Sequence, residues 1–261
     1  MAISEQAQRN HDELFPGHVS TLAVTDPELI ETFDNFAFDE VLRHGNLDIR
    51  TRLMVQLAAI ITCQAAREYR AMMGAALTVG VTPVEIKEIV YQAVPYLGIA
   101  RVFDFLHATN EVLSERGVEL PLPGQSTTTP ENRAEKGLTV MKQIVGSDVV
   151  ERLRVNAPED QQHIQSYLAA NCFGDNYTRT GLDIPTRELL TLSMLVSLGG
   201  CDPQVKGHVA ANLNVGNSRS RLIEVVTQLL PFIGYPRTLN ALRAIDEVTA
   251  SNVAATNKEK S

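Results

Sequence analysis

The feature that most constrains the fold of this chain is an internal repeat. The stretch EIVYQAVPYLGIAR at residues 88–101 aligns with EVVTQLLPFIGYPR at residues 224–237, with glutamate, glutamine, proline, glycine and arginine coinciding at an offset of 136 residues. LDIRTRLMVQLA at residues 47–58 matches LDIPTRELLTLS at residues 182–193 after a one-residue slip. Self-similarity of this kind is typical of duplicated structural units. The repeat predicts two similar halves that pack about a pseudo-two-fold axis, as two subunits of a homodimer do.

The repeated units have the pattern of helices. Thr82 and Glu85 form the signature of a capping box at a helix start. Apolar residues at helical spacing follow: Ile86, Ile89, Val90 and Ala93. No stretch indicates a β-strand, so we predict an all-α protein, a tandem duplicated helical fold packed as a pseudo-dimer.

One segment divides the two halves. Residues 117–130, GVELPLPGQSTTTP, are rich in proline, glycine, serine and threonine, which predicts a linker. We therefore expect a first helical repeat over residues 20–116 and a second over residues 131–250. Residues 1–19 are interpreted as a mobile N-terminal arm, and residues 251–261 as a C-terminal tail.

Composition excludes several classes of function. The net charge of −8 argues against binding nucleic acid through a basic surface. The three cysteines form no Cys-x-x-Cys pair, the N-terminus has no signal-peptide pattern, and the apolar runs are too short to span a bilayer. We expect a cytoplasmic protein without a membrane partner. No phosphate-binding glycine loop and no metal-ligand set is found, so no cofactor or metal is expected.

The two repeats differ where chemistry would lie. Residues 173–208 concentrate polar groups on a short span: Asp175, Arg179, Arg187, Glu188, Cys201 and His208. The first repeat has Met72 at the position of His208 and Leu53 at the position of Glu188, while it keeps arginines at both arginine positions. These differences predict one competent site per chain, centred on the second repeat.

The second repeat resembles a known family. FGDNYTRTGLDIPTRELLTLSML at residues 173–195, the helical His208, and the Gly-x-Pro-Arg stretch at residues 234–237 together resemble the carboxymuconolactone decarboxylase family, which includes the alkylhydroperoxidase D-like proteins. The resemblance implies a compact helical fold that assembles into homo-oligomers. In alkylhydroperoxidase D-like proteins a Cys-x-x-Cys precedes the histidine; here the first position is Cys201, but the second is Gln204.

Candidate roles follow for the polar residues. Histidine titrates near neutrality, so His208 is a candidate general acid–base; the alternative is a structural histidine. Glu188 is a candidate base, or the partner of a neighbouring arginine. Arg179 and Arg187 are candidate ligands of a substrate carboxylate, which arginine binds with two parallel hydrogen bonds. The alternative is that the arginines only form ion pairs with acidic neighbours: Asp175, Asp183 or Glu188.

Cys201 has two interpretations. It is a small residue at a tight turn, or it is a thiolate whose pKa is lowered by a helix N-terminus and a protonated His208. Asp202 would oppose that lowering. A single reactive cysteine would also need a resolving thiol from elsewhere in the chain.

Three hypotheses for function remain. The first is a cofactor-independent enzyme on a small carboxylated or lactone organic acid, with His208 transferring a proton during decarboxylation or double-bond migration. The second is a thiol-dependent hydroperoxide reductase that uses Cys201 and His208. The third is a non-catalytic oligomeric binding protein whose repeats have diverged.

Overall fold

The chain folds into helices and the segments that connect them. The computed structural model describes residues 2–259, with side chains described to residue 251. Within that range the chain forms no β-strand and fourteen α-helices: α1 (Glu5–Leu14), α2 (Leu22–Thr25), α3 (Pro27–Asn35), α4 (Ile49–Thr62), α5 (Ala66–Thr78), α6 (Pro83–Leu97), α7 (Ile99–Glu115), α8 (Arg133–Val145), α9 (Ser147–Val155), α10 (Gln162–Tyr167), α11 (Ile184–Leu198), α12 (Asp202–Asn214), α13 (Arg219–Ile233) and α14 (Tyr235–Glu259).

The two halves are built alike and pack into one body. Helices α4–α7 of the first half correspond in order to α11–α14 of the second. Helix α4 packs against α11 at the centre, α6 crosses onto α11, and α13 crosses onto α4. One apolar core runs through both halves. The predicted all-α, duplicated pseudo-dimer is therefore confirmed.

The central helices form because their sequences are largely apolar and well capped. All but a few residues of α4 and α11 are buried, as expected of helices inside a core. The side chain of Asp48 accepts a hydrogen bond from Thr51 N at 2.9 Å, and Asp183 does the same from Thr186 N at 2.8 Å. The capping box predicted at Thr82 is present at the start of α6.

The N-terminal segment differs from the mobile arm expected over residues 1–19. Residues 5–14 form α1, whose Ala7 and Leu14 are buried, seven residues apart on one helix face. Ser4 caps this helix, its N–H donates to Asn35 Oδ1 at 2.7 Å, and its hydroxyl donates to Asp39 at 2.9 Å. The segment is thus docked on the first half by packing and by hydrogen bonds.

The predicted linker contains no helix, whereas most of the predicted C-terminal tail is helical. Residues 117–130 contain no helix and hydrogen-bond to the second half: Thr180 N donates to Gln125 O at 3.0 Å, and Thr127 Oγ1 donates to Thr178 O at 2.8 Å. Helix α14 continues to Glu259, through most of the predicted tail, and residues 260–261 lie outside the described residues. None of the helices described has the length and apolar character that a bilayer crossing requires.

Each half has a π-helical segment before its central helix: Phe36–Glu40 in the first, followed by a short 3₁₀ turn, and Leu168–Tyr177 in the second. In the second half this segment packs closely on α8. A Cβ atom at Gly137 would collide with Ala169 O, and one at Gly174 would collide with Arg133 O. Two glycines therefore permit the close approach that places Tyr177 at the end of the segment.

Candidate active site

A histidine and a carboxylate from consecutive helices form the centre of the site. His208 on α12 lies with its Nδ1 2.8 Å from Oε2 of Glu188 on α11. Glu188 is fully buried, whereas the side chain of His208 is 17% exposed. A carboxylate only accepts hydrogen bonds, so an ionised Glu188 requires the proton on Nδ1 and leaves Nε2 available. The structure thus brings together two of the predicted site residues.

Tyr177, which the sequence analysis did not select, holds the other oxygen of Glu188. Its hydroxyl donates to Glu188 Oε1 at 2.6 Å and lies 2.9 Å from Oγ1 of Thr191. Burial, and then the charge of Glu188, raise the pKa of Tyr177 well above its usual range. Tyr177 therefore keeps its proton and acts as a permanent donor to the carboxylate.

The first half contributes a second tyrosine. Tyr96 on α6 lies with its hydroxyl 2.9 Å from that of Tyr177, and its ring meets the ring of His208 edge-on at 5.6 Å. Because Tyr177 gives its only proton to Glu188, Tyr96 donates to the oxygen of Tyr177. Cys172 is the last member of this series of hydrogen bonds, with its Sγ 3.9 Å from the Tyr96 hydroxyl. The site is therefore built from both halves.

An asparagine fixes the two helices that carry the pair. Asn212 on α12 donates through Nδ2 to the backbone oxygens of Glu188 and His208, at 3.0 and 2.8 Å. Asn217 donates in turn to Asn212 Oδ1 at 2.9 Å. These buried bonds hold the histidine and the carboxylate in register, which a catalytic pair requires.

The two predicted arginines converge on a different carboxylate, Glu88 of the first half. Arg179 donates to Glu88 through Nε and Nη2, at 2.8–3.1 Å, and Arg187 donates through Nη2 at 2.9 Å. Both Glu88 and Arg187 are essentially inaccessible to solvent. Burial lowers the pKa of Arg187 while Glu88 opposes that change. Both arginines therefore form ion pairs, as the alternative interpretation predicted, but their partner is Glu88 and not Asp175, Asp183 or Glu188.

One face of α6 joins the arginines to the histidine pair. Glu88, Gln92 and Tyr96 recur every four residues and so share a helix face. Gln92 accepts from Arg187 Nη1 at 3.0 Å and donates to Thr191 Oγ1 at 3.1 Å. Substrate binding by Arg179 and Arg187 stays a prediction, and the contacts seen are those to this face.

Cys201 lies apart from this network. Its thiol donates to Leu195 O at 3.3 Å and lines a small cavity of about 70 Å³ with Asp202 and Arg237. Burial and the charge of Asp202 raise the pKa of the Cys201 thiol. Of the two interpretations of Cys201, this direction favours the small residue at a tight turn over the thiolate. All three cysteines are free.

The residues that the sequence analysis missed had a detectable signal. At the offset of 136, Tyr96 corresponds to Phe232, and Tyr177 corresponds to Val41. A polar residue in one repeat and an apolar residue in the other is the same difference that selected His208. The four-residue spacing on α6 was a second signal. The crossing of α6 onto α11, which only the three-dimensional structure shows, places these side chains in the site.

This arrangement is suited to proton transfer. A buried carboxylate that orients a partly exposed imidazole stabilises the imidazolium when the free nitrogen takes a proton. The described residues contain no cluster of three or more histidine, cysteine or carboxylate side chains placed to hold a metal ion.

Comparisons with known proteins agree with the fold and the repeat. A sequence model of the Carboxymuconolactone decarboxylase family matches residues 27–111 and again residues 162–247. The chain is 29% identical over 118 residues to 4-carboxymuconolactone decarboxylase of Acinetobacter baylyi, a match that covers 45% of this chain and 87% of that protein. It is 33% identical over 79 residues to an uncharacterised 15.0 kDa protein of Paracoccus denitrificans, covering 30% of this chain and 59% of the other.

A solved structure shows the same fold over nearly the whole chain. It is a protein of Burkholderia xenovorans provisionally assigned as a gamma-carboxymuconolactone decarboxylase subunit, with a TM-score of 0.53 and 22% identity over 94% of this chain and 98% of that one. The two family matches cover both repeats and more than half of the sequence. This chain therefore belongs to the carboxymuconolactone decarboxylase family, with two copies of the family unit in tandem.

Proposed function

We propose that the protein is a cofactor-independent enzyme of the decarboxylase type that acts on a small carboxylated or lactone organic acid. The observation that carries this proposal is the pair of His208 and Glu188, with the carboxylate buried and the imidazole partly exposed. The name of the Acinetobacter baylyi relative supports the reaction class. Proton transfer by positioned side chains contributes about 10²–10⁴-fold to such reactions.

The proposed chemistry is the replacement of a carboxylate by a proton. The bond between the substrate carbon and its carboxylate breaks, carbon dioxide leaves, and the electron pair moves into the adjacent unsaturated system. Nε2 of a protonated His208 delivers a proton to a carbon of that system, and the imidazole takes up a new proton from solvent. Glu188 stabilises the imidazolium and holds its orientation, while Tyr177 keeps the carboxylate in place by its hydrogen bond at 2.6 Å.

Replacement of His208 tests this proposal. With 4-carboxymuconolactone as substrate and carbon dioxide release as the readout, His208→Ala should lower kcat about 10²-fold or more, and Glu188→Gln should lower it as well. His163→Ala, an exposed histidine on α10, is the matched control. Turnover by His208→Ala equal to that of the control would refute the assignment, provided that circular dichroism shows a folded variant.

The arginines are given different roles. We assign Arg187, which is fully buried and donates to Glu88, Gln92 and two backbone oxygens, to holding the polar network. Arg179 is 18% exposed, and its hydrogen bonds to Glu88 use Nε and Nη2, which leaves Nη1 for a carboxylate. Of the two arginines, Arg179 alone is therefore both partly exposed and left with an N–H group for a carboxylate, and it lies at the Glu88 end of α6, away from His208.

The hydroperoxide reductase hypothesis has no supporting contact. Peroxide attack requires a thiolate, and the pKa of Cys201 is raised. The use of Cys201 and His208 as a redox pair stays a prediction. The hypothesis of a non-catalytic binding protein has no specific observation in its favour either, because the second half retains a histidine that is hydrogen-bonded to a buried carboxylate.

We also propose a homo-oligomer. The last helix of each half exposes two large apolar side chains at equivalent positions: Ile99 and Phe103 on α7, and Tyr235 and Leu239 on α14, all more than half exposed. Apolar residues repeated on a surface face indicate contact with another molecule. Light scattering should give a mass of two or more chains of 28.6 kDa each, and a mass of one chain would refute this proposal.

A further inference from the structure

A cavity of about 350 Å³ lies between α6, α7 and the linker. Its polar lining comes from Lys87 and Tyr91 on α6, Asn110 on α7, and Arg179 of the second half. Linker residues 120–125 form the outer wall, and the hydrogen bond from Thr180 N to Gln125 O at 3.0 Å holds them there. Glu88, at this end of α6, is eight residues from Tyr96, or roughly 12 Å along the helix at 1.5 Å per residue. The cavity is thus distinct from the histidine pair.

The walls of this cavity have surplus positive charge. Lys87 is only 9% exposed, and its ammonium group donates to the neutral side chain of Asn110. No described carboxylate forms an ion pair with it, and burial lowers the pKa of its ammonium group. Glu88 is the only acidic residue in the lining, and it is already paired with both Arg179 and Arg187. The lining therefore has two cationic side chains and one carboxylate, a net charge of +1 before any ligand binds, and Arg187, which is buried outside the lining, adds a further positive charge next to Glu88.

Apart from Gln125, the rest of the lining has no polar side chain. Val84, Leu120, Leu122 and two prolines surround the polar groups, together with the ring of Tyr91. The volume lies in the usual range for small-molecule sites, which are mostly apolar with a few fixed polar groups. An inorganic anion would leave these walls without contact. A carboxylate attached to an aliphatic or aromatic body would use both the charge and the walls.

The second half lacks the lysine and the asparagine that line this cavity. At the offset of 136, Lys87 corresponds to Ile223 and Asn110 corresponds to Asp246, and Asp246 forms an ion pair with Arg219. The linker passes over the α6 side only, because it connects the end of α7 to α8. The charged lysine is thus specific to the half that has lost its histidine.

We propose that this cavity is a second small-molecule site, which binds an organic carboxylate between Lys87 and Nη1 of Arg179. The ammonium group and the guanidinium edge form charge-assisted hydrogen bonds to the two carboxylate oxygens. Asn110 orients the ammonium group, and the linker covers the apolar body of the ligand. This site goes beyond the proposed reaction at His208 and does not depend on it.

Calorimetric titration of the full chain with benzoate tests the site. Benzamide, which has the same ring without the charge, should bind at least tenfold more weakly, and phosphate should bind more weakly than benzoate. Lys87→Ile introduces the side chain that the second half carries on the same helix face, and it should weaken benzoate at least tenfold. Lys87→Arg keeps the charge and should retain binding. Equal benzoate affinity in Lys87→Ile and the wild type would overturn the proposal.

The same titration separates this site from the histidine pair. Benzoate should bind His208→Ala with wild-type affinity, because the histidine pair lies at the other end of α6. Loss of benzoate binding in His208→Ala would show that the anion occupies the reaction site, and the second-site proposal would then be wrong. The readout is binding rather than turnover, so failure of the proposed reaction leaves this test intact.

Discussion

The two halves of the molecule share a fold and differ in the interior of one pseudo-equivalent pocket. The pocket around His208 is polar, and its counterpart around Met72 is apolar. Four positions carry the difference: Tyr177 corresponds to Val41, Glu188 to Leu53, His208 to Met72, and Tyr96 to Phe232. The apolar members are buried or partly buried in the core, as are their polar counterparts.

This difference shows that the fold does not need the polar pocket. The first half packs the same helices around apolar side chains, and Gln228 of the second half, the equivalent of Gln92, donates to the backbone oxygen of Val41 at 2.9 Å. Burial of a carboxylate and several hydroxyl groups costs free energy that apolar residues would not. A costly network kept in one half and absent from the other indicates that it serves chemistry rather than stability.

A second difference concerns the paired glutamates. Glu88 is buried and bound by two arginines, as described above. Its equivalent, Glu224, is only partly buried and accepts a hydrogen bond from the backbone N–H of Asn46 at 3.2 Å. The arginine equivalent to Arg179 is Arg43, which pairs with Asp39 within its own half. The ion pairs that cross between the halves are therefore concentrated on one side of the pseudo-axis.

The largest effect is expected from loss of the Glu88 charge. Glu88→Gln leaves the guanidinium of Arg187, which is fully buried, without a compensating carboxylate. Removal of one partner of a buried ion pair typically costs about 3–5 kcal/mol. Urea unfolding should show a loss of this order in the free energy of unfolding.

Glu224→Gln is the matched control for that substitution. The same chemical change at the pseudo-equivalent position removes one partly exposed hydrogen bond, and its effect should stay within about 0.5 kcal/mol. Similar effects at the two positions would show that the halves are energetically symmetric and would break the comparison.

A smaller change in stability, with a complete loss of activity, is expected when the residues of the first half are placed in the second. The double variant Glu188→Leu with His208→Met removes both members of a buried pair, and such replacements are often neutral or stabilising by about 1–4 kcal/mol. The single variant His208→Met leaves Glu188 buried without its imidazole and should lose about 1–3 kcal/mol.

A double-mutant cycle on unfolding free energies measures the coupling between Glu188 and His208. We expect the double variant to be more stable than His208→Met alone and inactive in the carbon dioxide assay. Strictly additive losses from the two substitutions would show that the polar pocket contributes to stability, contrary to the interpretation given above.

The sequence predicted the fold more completely than the site. The repeat at a fixed offset and the helical spacing on α6 are local patterns, so the pseudo-dimer, the capping box and the contrast between His208 and Met72 were all accessible. The partner of the arginines was not, because Glu88 lies about 90–100 residues away and reaches Arg179 and Arg187 only through the crossing of α6 onto α11. The raised pKa of Cys201 was equally inaccessible, since it depends on burial in the folded chain.

The smallest expected effect concerns the pH dependence of stability in the second half. Cys172 corresponds to Phe36 of the first half, and burial raises the pKa of its thiol to about 12 from an ordinary value of 9.0. Above pH 9 the unfolded chain loses this proton while the folded chain keeps it, so the stabilising contribution is complete below pH 9 and is lost as the pH rises toward 12. A single group of this kind changes the free energy of unfolding by about 1.4 kcal/mol per pH unit.

Cys172→Ala removes that titration and leaves the two tyrosines in place. Between pH 8 and pH 10, under reducing conditions, the wild type should therefore lose about 1.4 kcal/mol more of its unfolding free energy than the variant does. Parallel pH profiles in urea unfolding would show that the thiol reaches solvent, and the polar pocket would then be wetter than its contacts indicate. A steeper profile in the wild type would place Cys172, with Tyr96 and Tyr177, in a dry polar pocket whose counterpart around Met72 is apolar.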